Sequence, residues 1–170
     1  MVACLPLMLL AGLAIWLEDK GPPLFTQTRV GKGGSSYRLF KLRSMPVNSG
    51  DVPSMHAHRL RNTGVGWIIR RTNIDELPQL FNILRGDMSV VGPRPALTSQ
   101  VELLEMRRQN RSYDCKPGLT GLAQVNSYDG MPEREKADWD GQYAADVSFH
   151  ADCRIILRTV FYLFRRPPVY

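Results

Sequence analysis

Residues 70–95 read RRTNIDELPQLFNILRGDMSVVGPRP, and this stretch decides both the helical character of the chain and where its chemistry lies. From residue 76 the apolar period is helical: Leu77, Leu80, Phe81 and Leu84 fall at i, i+3, i+4 and i+7 and predict an amphipathic helix. Gly86 stops it, and GDMSVVGPRP (86–95) reads as loop. Pro78 lacks an N–H and belongs in a first helical turn, where that donor is free anyway. The helix therefore starts after Asn73, with Asp75 at or near its N-cap. On its own that is ordinary capping, worth about 1 kcal/mol. The surroundings ask for more. A helix N-terminus suits phosphate, Arg70 and Arg71 stand just upstream, and Arg94 is held between Pro93 and Pro95. A guanidinium matches phosphate oxygens bidentately. Aspartate is able to carry a covalent phosphoryl group, and Mg²⁺ takes one or two carboxylates together with substrate phosphates. Asp75 and Glu76 thus form a candidate nucleophile and metal-binding pair.

Working outward, LFTQTRV (24–30) and SYRLFKLRS (36–44) predict two strands around the loop Gly31-Lys32-Gly33-Gly34. On the second strand the period of two places Leu39, Lys41 and Arg43 on one face and Phe40 and Leu42 on the other. Residues 46–66, rich in Gly, Pro, Ser and Asn, predict a loop with a short helix. Downstream, helices are expected at 97–108, 132–145 and 151–166, with a loop at 116–121 and a short extended piece at 122–126. The fold class is α+β, mainly helical with a small β-hairpin.

The 170 residues carry 22 Lys+Arg against 16 Asp+Glu, a net charge of +6 that favours an anionic partner. With 44% apolar and 22% charged residues, disorder along the whole length and a coiled coil are excluded. Cys4, Cys115 and Cys153 are an odd set without metal-like spacing, which suits a reduced compartment. Residues 1–17, MVACLPLMLLAGLAIWL, carry no charge. As a helix they reach about 25 Å, short of a hydrocarbon core of roughly 30 Å. No basic region precedes the run and no small-residue cleavage site follows, so a signal peptide fits poorly. A membrane segment that enters without crossing is expected over 1–17, with a single catalytic domain over 18–170.

Four segments resemble the bacterial sugar transferases that act on polyprenyl phosphate, the monotopic phosphoglycosyl transferases. They are GPPLFTQTRVGKGGSSYRLFKLRSM (21–45), residues 70–95 quoted above, KPGLTGLAQVN (116–126) and DGQYAADVSFHADCRIILRT (140–159), in the family's order. The resemblance implies transfer of a sugar 1-phosphate from a UDP-sugar to undecaprenyl phosphate with release of UMP. It implies a ping-pong mechanism through a phosphosugar ester, with Mg²⁺, at the cytoplasmic face of the bacterial inner membrane. By match to the motifs, Asp75 is the nucleophile and Glu76 its metal-binding neighbour. Lys41, Arg94 and Asp140 match further substrate- or phosphate-binding positions, with Asp138 two residues from the last. Family members open with an entering arm, a Ser-Pro break and an exiting arm that together dip into one leaflet. Here Leu5-Pro6 matches the break, so a truncated or reduced anchor is expected. Ser127-Tyr128-Asp129 replaces the Gly-Arg that many members carry after QVN.

Weaker features have ordinary explanations. Gly31, Gly33 and Gly34 lack a Walker pattern and suit a hairpin turn. His56 and His58, with His150 the only other histidine, suit a solvated pair. Trp139 and Tyr143 suit packing, with substrate stacking the alternative. The last helix is either a core helix with solvated Arg154, Arg158, Arg165 and Arg166, or an interfacial helix whose arginines meet lipid head groups. Two rival functions remain open: a Mg²⁺-dependent phosphohydrolase using the same Asp75, and a non-catalytic basic membrane-binding module. No helix-turn-helix, RRM or zinc pattern supports a nucleic-acid partner. Hexose, N-acetylhexosamine and dideoxy-sugar donors all fit, and the oligomeric state is left open.

Overall fold

The computed structural model describes residues 4–49, 62–128 and 130–163. His56, His58, Asp129, Arg165 and Arg166 lie outside the described residues. The chain divides into two compact units, Met1–Gln27 with Arg38–Asn82, and Thr28–Tyr37 with Ile83–Val169. The expected α+β class holds: the structure is mainly helical and carries a small antiparallel hairpin.

In the first unit, helix α1 (Leu5–Asp19) buries Met8, Ala11 and Ile15 along one stripe. Its remaining surface is apolar as well, with Leu9, Leu10, Leu13 and Leu17 exposed. Its 15 residues reach about 22 Å, and no described helix is long and apolar enough to cross a membrane. The charges that end α1 tie it down. The two oxygens of Glu18 accept from the amides of Gly64 and Val65 at 2.6 and 3.1 Å. These are the first amides of helix α2 (Gly64–Arg71), a place where a carboxylate is favoured. Asp19 pairs with Arg43, and Lys20 closes the helix in the left-handed region with its ammonium 4.2 Å from the Trp16 ring centroid. Ala11 and Ile15 pack with Leu42 and Ile69, flanked by Val65 and Ile74.

The hairpin strands are β1 (Leu24–Val30) and β2 (Ser36–Leu42), joined through a 3₁₀ turn at Lys32–Gly34. The expected alternation on β2 holds for Tyr37 and Leu39, both buried, and fails at its end, where Leu42 is buried too. Helix α3 (Gln79–Arg85) covers much of the expected amphipathic helix, and its apolar residues are divided, with Leu80 half-buried. Phe81 and Leu84 are 42% and 69% exposed, whereas Gln79 and Asn82 are buried. The reason is a pair of hydrogen bonds. Asn82 Oδ1 accepts from the Phe40 amide at 3.1 Å and its Nδ2 donates to the Arg38 carbonyl at 2.6 Å. Both main-chain groups lie on β2, and leaving either buried and unmade costs about 1–3 kcal/mol.

The second unit holds β3 (Ser89–Val91) and β4 (Gly118–Thr120), a parallel pair in register Ser89↔Gly118 and Val91↔Thr120. Both stretches read as loop in the sequence. Their glycines explain the pairing: a Cβ on Gly92 would stand 2.2 Å from the Lys116 carbonyl oxygen, and one on Gly118 would stand 2.1 Å from the Gly92 nitrogen. Helices α4 (Val101–Gln109), α5 (Leu122–Val125), α6 (Glu133–Ala145) and α7 (Phe149–Leu163) complete the unit. Helix α5 replaces the extended piece expected at 122–126, and α4 begins four residues later than the pattern suggests. Val91, Tyr143 and Ile155 form one cluster, and Ala96, Leu103 and Ala137 another. Tyr143 is a packing residue: it is buried, and its hydroxyl donates to Asp152 Oδ1 at 2.9 Å. On α7 Ile155 is buried, while Phe149, Leu157 and Phe161 are exposed.

Candidate active site

The first unit brings Lys41, Asp75 and Glu76 together. Helix α2 ends at Thr72, whose hydroxyl turns back onto the Ile68 carbonyl at 2.8 Å. Asn73 then adopts φ 55°, a left-handed conformation that asparagine tolerates better than most residues. This reversal launches a 3₁₀ turn over Ile74–Glu76. Asp75 therefore sits inside a 3₁₀ turn capped by Asn73, and not at the N-cap of an α-helix. Pro78 lies between that turn and the first residue of α3, Gln79. Ile74 packs against the Ile69 cluster, which seats the turn.

Lys41 arrives from β2. Its Nζ donates to Glu76 Oε1 at 2.7 Å and stands 4.0 Å from Asp75 Oδ2. The Asp75 side chain is 9% exposed, that of Glu76 16% and that of Lys41 20%. Two adjacent carboxylates are thus held side by side, mostly out of water, by one shared cation. Among the described residues no three His, Cys, Asp or Glu side chains cluster as metal ligands. Two carboxylates are nevertheless the donor set that Mg²⁺ uses when substrate phosphates and waters complete its shell, so Asp75 and Glu76 fit that ion. The upstream arginines are occupied locally. Arg70 donates to Asn62 Oδ1 at 3.2 Å, and the Arg71 guanidinium carbon lies 5.3 Å from the Trp67 ring centroid.

The second unit brings Arg94 and Asp140 together through a residue that sequence reasoning passed over. Asp140 is 1% exposed, and its Oδ2 accepts from Arg107 Nε at 2.9 Å and from Nη2 at 2.6 Å. The third guanidinium nitrogen, Arg107 Nη1, donates to the Arg94 carbonyl at 3.0 Å. Asp138, the alternative match, is exposed. Burial pushes the Asp140 carboxyl above its ordinary range, while the Arg107 charge beside it pulls it down. Lys136, one turn away on α6, is lowered by burial and by the positive charges of Arg94 and Arg107. Arg107 opens a polar run, RRQNR (107–111), that matches no motif. The available signal was its spacing, four residues after Leu103 on the buried side of α4.

The sequence profile of the bacterial sugar transferases matches residues 1–166. This chain belongs to that family. It is 46% identical over 164 residues to a UDP-glucose:undecaprenyl-phosphate glucose-1-phosphate transferase of Caulobacter vibrioides, covering 91% of this chain and 61% of that protein. A UDP-N-acetylgalactosamine-undecaprenyl-phosphate N-acetylgalactosaminephosphotransferase of Aeromonas hydrophila is 40% identical over 162 residues, covering 91% of this chain and 38% of the relative. The sugar transferase EpsL of Bacillus subtilis is 35% identical over 161 residues, 94% of this chain and 79% of its own length. The chain thus spans less than two thirds of the length of the first two of these sugar transferases.

Proposed function

We propose that the chain moves a sugar 1-phosphate from a UDP-sugar onto undecaprenyl phosphate, releasing UMP, through a phosphosugar ester on Asp75. The observation that carries this reading is the buried Lys41–Asp75–Glu76 cluster, in a chain whose relatives are named for that transfer. In the first half-reaction an Asp75 carboxylate oxygen attacks the sugar-bearing phosphorus. A P–O bond forms to Asp75, the P–O bond to UMP breaks, and UMP leaves with the bridging oxygen. In the second, a phosphate oxygen of undecaprenyl phosphate attacks the same phosphorus and the Asp75–phosphorus bond breaks. The carboxylate is restored and the sugar stays on a lipid diphosphate. Lys41 orients the pair through Glu76 and offsets the negative charge that an incoming diphosphate meets. Glu76, with Asp75, would hold Mg²⁺, which supplies charge neutralisation on the phosphate oxygens when bound. By its match to the family motif, Arg94 would be a further phosphate-binding residue.

The partial reaction is the direct test. The full chain given a panel of UDP-sugars, without lipid acceptor, should release about one equivalent of UMP per protein and gain a sugar-phosphate mass. Excess chelator should suppress the release and added Mg²⁺ restore it. Strict dependence of UMP release on the acceptor, with no adduct on trapped protein, would sink the covalent route. Steady release of free sugar 1-phosphate into water would instead favour a phosphohydrolase.

The reaction needs a lipid-borne phosphate at head-group depth, and the exposed apolar surface of α1 supports a monotopic seat in the cytoplasmic leaflet of the inner membrane. The outward Phe149, Leu157 and Phe161 of α7 support an interfacial position for that helix rather than a core one. Expressed in bacteria, the chain should sediment with membranes, resist about 1 M salt, where surface charges are screened within about 3 Å, and dissolve in mild detergent. Release by salt alone would overturn this seat.

A further inference from the structure

The loop that carries Arg94 has few donors of its own, because Pro93 and Pro95 lack N–H groups. Its four successive carbonyls are all taken up from outside. The Pro93 carbonyl accepts from the Gly118 amide at 2.9 Å, that of Arg94 from Arg107 Nη1 at 3.0 Å, that of Pro95 from Arg29 Nη1 at 3.1 Å, and that of Ala96 from the Val30 amide at 3.0 Å. Two of these donors are buried guanidinium groups, and Arg29 and Arg107 are 9% and 6% exposed. Burying a cation costs several kcal/mol unless it is paired and hydrogen-bonded. The partner that meets this cost for Arg107 is Asp140, which engages its Nε and Nη2 and leaves Nη1 aimed at the loop.

We infer that Arg107, braced by Asp140 and aided by Arg29, is a positioning residue that fixes the main chain of Arg94, and that Asp140 serves the reaction through this brace instead of touching substrate. The geometry supports the second half directly. The Asp140 oxygen that is engaged faces two guanidinium nitrogens, and the residue is 1% exposed. A carboxylate so enclosed has little surface left for a nucleotide, whereas Arg94 is half-buried on a loop held at four successive carbonyls. Lys136 and Glu133 are the other charged groups acting on this face from α6.

The inference rests on the proposed transfer through Arg94 as a phosphate contact, so the test separates the two. The full chain is assayed with UDP-glucose, or with whichever donor the panel selects, as wild type, Arg107→Met, Arg94→Ala and the double variant. If Arg107 works by placing a group that binds phosphate in both ground and transition states, Arg107→Met raises KM for the donor about tenfold and leaves kcat within about twofold. The same change adds no further loss in the Arg94→Ala background, because the group it places is gone. Equal losses in both backgrounds, or a fall in kcat at constant KM as when the folded fraction drops, would overturn the inference. Arg107→Lys, which keeps the charge beside Asp140 but lacks the fork, gives the same comparison if the methionine variant does not fold. Should the wild type release no UMP from any donor, the functional reading falls, and the brace is judged by hydrogen exchange alone. Faster exchange at the Arg94 and Ala96 amides in Arg107→Met, with the β3 and β4 amides unchanged, upholds it; unchanged exchange at Arg94 and Ala96 rejects it.

Discussion

Asp75→Asn should abolish sugar-phosphate transfer, by roughly 10⁴-fold or more, while leaving the fold intact. The substitution preserves shape and volume at a position that is 7% exposed, so the packing of Ile74 beneath the turn is unchanged. It removes the negative charge that has to form the bond to phosphorus. An amide offers a weak nucleophile, and its oxygen would yield an unstable imidate. The covalent adduct should vanish with turnover, and no UMP should appear in the acceptor-free reaction. Because an uncharged Asn beside Glu76 also relieves repulsion, the variant should melt at or above the wild-type temperature. UMP release above about 1% of wild type would remove Asp75 from the nucleophile's role, since loss of a covalent nucleophile leaves far less.

Lys41→Met should lower kcat/KM about 10²- to 10³-fold, the range expected when one preorganised charge is removed from a water-poor phosphoryl site. In the resting structure Lys41 is donor to Glu76 at 2.7 Å and neighbour to Asp75 at 4.0 Å. Methionine keeps most of the apolar stem and deletes the ammonium. The two carboxylates then face an incoming diphosphate without the Lys41 charge, and the loss falls on approach and bond formation together. Lys41→Arg should recover part of the rate, because the charge returns although the fork does not match the point contact. The readout is UMP release against donor concentration. A Lys41→Met variant within threefold of wild type would show that the cation is a structural tie only.

The grouping of Asp75 with Glu76 was legible because it is local in sequence. The two are adjacent and Asn73 and Pro78 punctuate the turn, whereas Lys41 was reached through its match to the family's KLRSM segment. What the period left open is instructive. The stripe Leu77, Leu80, Phe81, Leu84 has a helical period, and period says which residues share a face, not which way the face is turned. Here two hydrogen bonds from Asn82 to β2 decide the orientation, and nothing in residues 76–86 reveals that Phe40 and Arg38 need a partner 42 and 44 positions away. The parallel pairing of β3 and β4 was hidden for a similar reason. Three-residue strands flanked by glycine and proline look like loops, and the close approach of Gly92 and Gly118 becomes visible only when the two segments meet. Arg107 and Asp140 lie 33 residues apart and carry no motif between them. Their partnership follows from the burial of two opposite charges, a property of tertiary structure alone.

The Asn82 side chain also bears on how copies of this chain behave toward one another. A two-stranded ribbon has two open edges, and an open edge offers alternating N–H and C=O groups that any extended segment of another molecule is able to zip onto. On β2 the Phe40 amide and the Arg38 carbonyl are the groups that such a segment would seize, and the carboxamide of Asn82 already answers both, donor to acceptor and acceptor to donor. One side chain thus mimics the peptide group of a third strand and seals the middle of that edge. During synthesis the strand is complete some forty residues before Asn82 emerges, so until then the hairpin is an unguarded template for cross-molecular pairing.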